Sequence, residues 1–260
     1  DENSENKTKF YTGLYHALLG RGLASDVNGQ YKLNGDGVGQ IPLDENGLPQ
    51  YNHYNSDGVW GAFWNLGQLW ALAYPEYLSE YVQSNIDFSK ETGWLHDGVA
   101  AGAFTNGVQT NFQGLLMAAA YNCGIRDFDV EAGYRIALKN EVEHRGRNLG
   151  NGKYDLGYFT ALGFVPYQDT TISNGWVFNF GASHTLEYAF SSYAVAQMAL
   201  DLGSDQEYQV LMRQAGYWES LFDPDSRFIR PKLPNGEFIP DFDPMKGWAG
   251  FQEGNAYQYT

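Results

Sequence analysis

The stretch Val59-Trp-Gly-Ala-Phe-Trp-Asn-Leu-Gly-Gln-Leu-Trp-Ala-Leu-Ala-Tyr74 decides the fold class. Trp60, Phe63, Trp64, Leu66, Leu69, Trp70 and Leu72 leave it almost no polar face, so a helix here must be enclosed by other protein. Pro75 breaks the run, and 76–90 follows with Tyr77, Leu78, Tyr81, Val82 and Ile86 on one stripe and polar residues opposite. The order then repeats. Residues 108–123 are apolar on most faces, and 129–144 are amphipathic. Residues 183–202 are mostly apolar, and the next helix carries Tyr208, Leu211, Met212, Ala215, Trp218 and Phe222 on one side, with Ser204 and Glu207 as a capping box. An enclosed helix followed by a covering helix, three times over, predicts concentric layers in a mainly α fold.

Before this region, 1–58 reads as a loop-rich opening segment, and 59–260 as the helical part. Residues 10–19 have helical character, whereas Asp26-Val-Asn-Gly29, Asn34-Gly-Asp-Gly37 and Glu45-Asn-Gly47 are turn signals within a surface loop with short strands. The long Gly- and Asn-rich stretches 145–182 and 222–252 are where scaffold-held chemistry is expected. Residues 228–239, with Pro234-Asn-Gly236 at the turn, read as a small β-hairpin.

Composition excludes several functions. Sixteen Lys plus Arg against 31 Asp plus Glu give a net charge of −15, which opposes nucleic-acid binding through phosphates and attraction to an anionic membrane surface. A single cysteine, Cys123, allows no internal disulfide and too few thiolates for a structural zinc site; in its apolar helix it reads as packing. No apolar run reaches the roughly 18–20 residues of a membrane span, and no signal-peptide pattern opens the chain. The 7 Trp, 19 Tyr and 16 Phe with few lysines suit neutral polar ligands such as sugars. The chain starts at Asp1 and stops at Thr260 inside structured-looking sequence, so both ends read as cut.

Common catalytic motifs are missing. Gly35-Asp-Gly37-Val-Gly39 lacks a flanking strand and helix, and Gly146 to Lys153 is one residue too long for a phosphate loop and is followed by Tyr154. Neither His-Glu-x-x-His nor Gly-x-Ser-x-Gly occurs. His184 and Glu187, three apart on a helix, read as core, and His96-Asp97 as a loop pair. The most informative stretch is Trp248-Ala-Gly-Phe-Gln-Glu-Gly-Asn-Ala-Tyr-Gln-Tyr259. Glu253 stands there at an expected helix start among aromatics. Two readings fit: a general acid with a raised pKa in an apolar wall, or a first-turn acid favoured by the helix dipole.

Several blocks, in order, resemble glycoside hydrolase family 92. They include Phe10-Tyr-Thr-Gly-Leu-Tyr-His-Ala-Leu-Leu19, Ser25-Asp-Val-Asn-Gly29, Gly93-Trp-Leu95, Gly124-Ile-Arg-Asp-Phe-Asp129, Thr185-Leu-Glu-Tyr-Ala189, Leu221-Phe-Asp-Pro224, Phe228-Ile-Arg-Pro231 and Glu253-Gly-Asn-Ala-Tyr-Gln-Tyr259. The resemblance covers nearly the whole chain. It implies the first part of an (α/α)6 toroid, and a calcium-dependent, inverting exo-α-mannosidase that is secreted or periplasmic and acts on an oligosaccharide or glycan. Glu253 matches the general acid. The base and the Ca2+ ligands are implied to lie beyond residue 260, leaving no metal site in these residues. Trp60, Trp94 and Asn255 are the substrate-binding candidates.

The departures define what to look for in the structure. Where the family reads Leu-Trp-Asp-Thr-Tyr-Arg, this chain has Val59-Trp60-Gly61-Ala62-Phe63-Trp64, so the Asp expected to hold mannose hydroxyls is Gly61. A Trp of the sugar site falls on Gly98, and Tyr-Ala-Tyr-Asp-Asp-Trp becomes Tyr188-Ala-Phe-Ser191-Ser192-Tyr193. Each lost hydroxyl contact is worth roughly 1–3 kcal/mol. A different sugar, or a glycan-binding relative without catalysis, are therefore the alternatives to α-mannoside hydrolysis.

Overall fold

The computed structural model describes residues 3–19, 21–56, 59–62, 65–100, 103–104, 108, 110–147, 151–168, 170–172 and 176–260. Among these, the helices are α1 (Ser4–Leu18), α2 (Leu66–Ala73), α3 (Pro75–Thr92), α4 (Phe112–Asn122), α5 (Val130–Val142), α6 (Leu156–Leu162), α7 (Gly181–Asp201), α8 (Asp205–Ala215) and α9 (Ala256–Tyr259). The strands pair as two-stranded antiparallel ribbons: β1 (Gln30–Lys32) with β2 (Val38–Gln40), β3 (Val99–Ala100) with β4 (Ala103–Phe104), β5 (Thr170–Ile172) with β6 (Trp176–Phe178), and β7 (Phe222–Asp223) with β8 (Phe228–Ile229). The fold is mainly α, as the apolar alternation predicts.

Local chemistry sets the helix ends. Pro75, at the first turn of α3, needs no N–H partner there, and Gly93 ends the helix at φ +79 with its N–H on the Ser89 carbonyl at 2.7 Å. The Asp129 side chain caps α5 by accepting from the Ala132 N–H at 3.0 Å. Helices α2, α4 and α7 lie side by side with α4 in the middle, α3 and α5 cover α4, and α8 runs along α7. Trp70, Tyr81, Met117, Val195, Met198 and Leu211 fill the space between the layers. Each such side chain stabilises the fold by roughly 1.5–3 kcal/mol through burial.

The structure corrects several expectations. The helix expected over 59–74 is a 3-10 turn at Val59–Gly61 followed by α2, because Gly61 is a poor helix former and Gly67 bonds the Ala62 carbonyl at 2.7 Å; Phe63 and Trp64 lie outside the described residues. Cys123 is exposed at the C-cap of α4 and does not pack in the core. Ser204 is the N-cap of α8, yet only its carbonyl engages the helix, accepting from the Tyr208 N–H at 2.9 Å. The hairpin about Pro234–Gly236 spans 231–239, with the Gly236 N–H on the Leu233 carbonyl and the Leu233 N–H on the Glu237 carbonyl, each at 2.8 Å, the Ile239 N–H on the Pro231 carbonyl at 3.0 Å, and the bridge Lys232–Phe238 between them. Residues 228–229 instead pair back to β7, where Arg230 bridges Asp223 at 3.0 Å and the Ile239 carbonyl at 2.6 Å.

Between α5 and α7 the layers enclose an ion pair, Lys153 with Glu141, both ends fully buried. Glu141 also accepts from Asn111 Nδ2 and Ser192 Oγ, each at 2.6 Å, and the Lys153 ammonium donates to the Tyr188 carbonyl at 3.1 Å. Burial pushes the Lys153 ammonium down while the carboxylate opposes it. The glycine-rich turn read over 146–153 therefore ends in a core residue: Gly152 at φ +62 and Lys153 at φ +39 turn the chain inward.

Candidate active site

Two segments far apart in sequence, the start of α7 and the loop 248–255, build one cavity. Helix α7 begins at Gly181, where a Cβ would stand 2.6 Å from the Val165 carbonyl oxygen, so no larger residue lets the helix seat there. Its first N–H groups would be orphans. Those of Ala182 and Ser183 donate instead to the Gly250 carbonyl at 3.0 and 3.2 Å. Gly250 itself has φ +90, and a Cβ on it would meet Pro231 at 2.5 Å. The loop closes through the Trp248 N–H to the Gly254 carbonyl at 3.0 Å, the Gln252 N–H to Ser183 Oγ at 3.1 Å, and the Tyr259 hydroxyl to the Gln252 carbonyl at 2.9 Å. Phe251, fully buried beneath it with Phe164, Leu221, Ile229 and Ala256, holds the loop down.

Glu253 sits on top of this loop, exposed, with φ +53. A side chain in the left-handed region costs about 1–2 kcal/mol, and such strain clusters at functional positions. The helix starts later than the sequence indicates: α9 begins at Ala256, and Asn255 is its cap, accepting from the Gln258 N–H at 3.1 Å. Glu253 therefore belongs to the turn before the cap and not to a first helical turn.

Glu253 borders a cavity of about 620 Å³, a size that suits a small ligand. His184 and Glu187, one turn apart on α7, also line it, together with Thr110 ahead of α4 and Gly61 on the 3-10 turn. Both α7 residues, read as core from sequence, are thus cavity residues. Burial pushes the Glu187 carboxyl up to about 7, with His184 acting in the opposite sense. The Tyr259 hydroxyl, also of a cavity-lining residue, is pushed up to about 12 by burial and then by the charges of Glu187 and Glu253. At Gly61 a Cβ would meet nothing within 4 Å, so the missing side chain leaves open space on the cavity wall.

His184 is oriented from behind. Its Nδ1 lies 2.8 Å from Asp155 Oδ2, and its ring stacks on Tyr188 with centroids 5.4 Å apart and planes 11° apart. Asp155 precedes α6 and was not singled out in the sequence; 29 residues separate it from His184 and no local pattern links them.

The other sequence candidates lie elsewhere. Trp94 is buried outside the cavity, with Lys139 Nζ and Arg147 Cζ 4.2 and 4.4 Å from its ring centre, so its ring is covered by cations. Asn255 does not line the cavity; its amide caps α9 and donates to the Met245 carbonyl at 3.3 Å. Trp60 lies on the 3-10 turn beside Gly61, and its side chain is outside the described part of the structure. Gly98 is buried and does not border the cavity. Among the described residues no three His, Cys, Asp or Glu side chains stand together as a metal site. No helix among them is long and apolar enough to cross a membrane.

Comparison with known proteins supplies the context. A curated relative, an uncharacterized secreted glycosidase of Arthroderma benhamiae, is 28% identical over 192 residues, covering 71% of this chain and 24% of the relative. A family 92 α-mannosidase of Bacteroides thetaiotaomicron superposes with a TM-score of 0.83 at 22% identity, over 98% of this chain and 31% of that one. An inverting family 92 mannosidase from the same organism gives a TM-score of 0.83 at 23% identity, over 95% and 32%. The chain thus spans about a quarter of the curated relative and about a third of the solved structures. The glycosyl hydrolase family 92 catalytic domain matches residues 1–260 throughout, and the chain belongs to that family.

Proposed function

We propose that this chain is part of a glycosidase that hydrolyses terminal α-mannosidic bonds of glycans with inversion, and that Glu253 is its general acid. The observation that carries the reading is Glu253, on a strained and anchored turn, bordering a cavity that also holds a second carboxyl, in a chain of a glycosyl hydrolase family. Glu253 would give its proton to the leaving glycosidic oxygen while a base activates water on the opposite face of the ring. Calcium is part of the same proposal and is implied by the family resemblance. Trp60 is retained as a sugar-facing candidate on sequence alone. A secreted location is part of the same proposal, supported by the secreted relative.

The test uses the full-length protein and a synthetic α-mannoside. Wild type should release mannose, first as the β-anomer by NMR, and Glu253→Gln should lose about 10²–10⁴-fold in kcat. Chelation followed by calcium addition should switch the activity off and on. Full activity in Glu253→Gln would end the assignment of the acid. The open wall at Gly61 favours a second reading, a toroid glycosidase for a different sugar, and release of another sugar from the same panel would decide for it. Binding without turnover, before and after the substitution, would instead mark a glycan-binding relative.

A further inference from the structure

Two residues that line the cavity each carry a buried polar atom with no hydrogen-bond partner among the described residues: Nε2 of His184 and Oγ1 of Thr110. Their residues are 2% and 3% exposed and come from different elements, α7 and the segment before α4. A buried polar atom left unpaired is destabilising, so both are positions that a ligand or a bound water completes.

The His184 atom has a defined character. A carboxylate only accepts hydrogen bonds, so Asp155 at 2.8 Å puts the ring proton on Nδ1. In the neutral ring Nε2 is then a lone-pair acceptor, and Tyr188 stacked on the ring fixes its direction. What suits it is an O–H donor. Thr110 can donate or accept, and burial keeps the Glu187 carboxyl protonated in part near neutral pH, so it too can donate. Among the described residues no Lys or Arg borders the cavity, whereas Glu187 and Glu253 do, which disfavours a phosphate or carboxylate on the ligand.

We infer that the Asp155–His184 pair is a specificity device, with His184 Nε2 accepting from a hydroxyl of an uncharged sugar ring and Thr110 Oγ1 making the second fixed contact. The inference rests on the glycosidase reading for the kind of ligand, but not for which sugar. Asp155 is the positioning residue and His184 touches the ligand.

The experiment uses full-length Glu253→Gln protein, to prevent turnover, labelled with 15N in its histidine rings; the His184 signals are assigned by their loss in His184→Gln. Methyl α-D-mannoside, methyl α-D-glucoside, methyl α-D-galactoside and mannose 6-phosphate are titrated. A neutral glycoside should move the Nε2 resonance in the direction of hydrogen-bond acceptance while Nδ1 stays protonated. His184→Ala should weaken binding about tenfold, His184→Gln should recover part of it because its amide occupies the Nε2 position, and Thr110→Val should weaken it several-fold. Mannose 6-phosphate should bind more weakly than the mannoside. Binding of mannoside with Nε2 unmoved and affinity kept in His184→Ala overturns the inference and leaves the mannosidase reading standing. Binding of glucoside or galactoside alone, through Nε2, does the reverse. No binding by any glycoside, or preference for the phosphate, overturns the inference as well.

Discussion

At residue 253 function and backbone pull in opposite directions. Glu253 holds φ +53 because the Trp248–Gly254 hydrogen bond closes the turn around it. Asn tolerates this conformation better than Glu, so Glu253→Asn should raise stability by about 0.5–1 kcal/mol while removing the proposed acid. Chemical denaturation of the two proteins checks this, and a loss of stability would mean that the carboxylate makes contacts that outweigh the strain. The residue was legible as a candidate from its aromatic surroundings and its Glu-Gly-Asn block. Its conformation was not, because the hydrogen bonds that impose it reach back to Trp248 and across to α7. His184 and Glu187 were legible as a spacing only. Their exposure to a cavity depends on Gly61, Thr110 and the loop 248–255, which no periodicity in α7 reports.

At the scale of elements, the apolar patterning did most of the work. Helix α5 was legible because one stripe buries and the other faces solvent, whereas α3 is buried on its polar side as well, at Gln83, Ser84, Asn85 and Ser89; Pro75, Gly93 and Asp129 mark their ends. The first enclosed segment reads as one helix because Trp and Phe are apolar all round, whatever the backbone does; Gly61 splits it. Lys153 shows a deeper limit. Nothing local says that a lysine after two glycines will be drawn under α7, since Glu141, Ser192 and the Tyr188 carbonyl meet it only in the assembled layers. Lys153→Met should cost about 3–5 kcal/mol, because Glu141 is left as an uncompensated buried charge. Adding Glu141→Leu should recover part of that loss but not all, since Asn111 then lacks its side-chain acceptor and Ser192 keeps only Gln214 Oε1 at 3.2 Å. Urea unfolding of the single and double variants measures both.

Over the whole molecule, His53, His96 and Glu187 shape the dependence of stability on pH between about 3 and 7. Burial pushes His53 down to about 4 and His96 down to about 3. The unfolded chain takes up protons there near 6.5, so stability is lost as pH falls from 6.5 toward 3. Glu187, pushed up to about 7, works the other way: the folded form keeps a proton that the unfolded chain releases near 4.5, so stability is lost as pH rises from 4.5 to 7. Between 4.5 and 6.5 the carboxyl offsets part of the effect of the histidines. Glu187→Gln should therefore make the acid-side fall steeper, read as urea midpoints at pH 5 and 7 in the two proteins. An unchanged difference between those midpoints would show that Glu187 ionises normally in the folded protein.

The carbonyl of Gly250 accepts from two amides of α7, and that has a consequence in time as well as in space. The amides of Ala182 and Ser183 can exchange with deuterium only when the segment about seventy residues later lets go of them. That segment is also what protects the amides of Trp248 and Gln252. All four should share one opening free energy, well below that of the enclosed amides of α4, and Gly250→Ala should lower it for the four together. Deuterium uptake followed by NMR would then time how often the two halves of the cavity come apart.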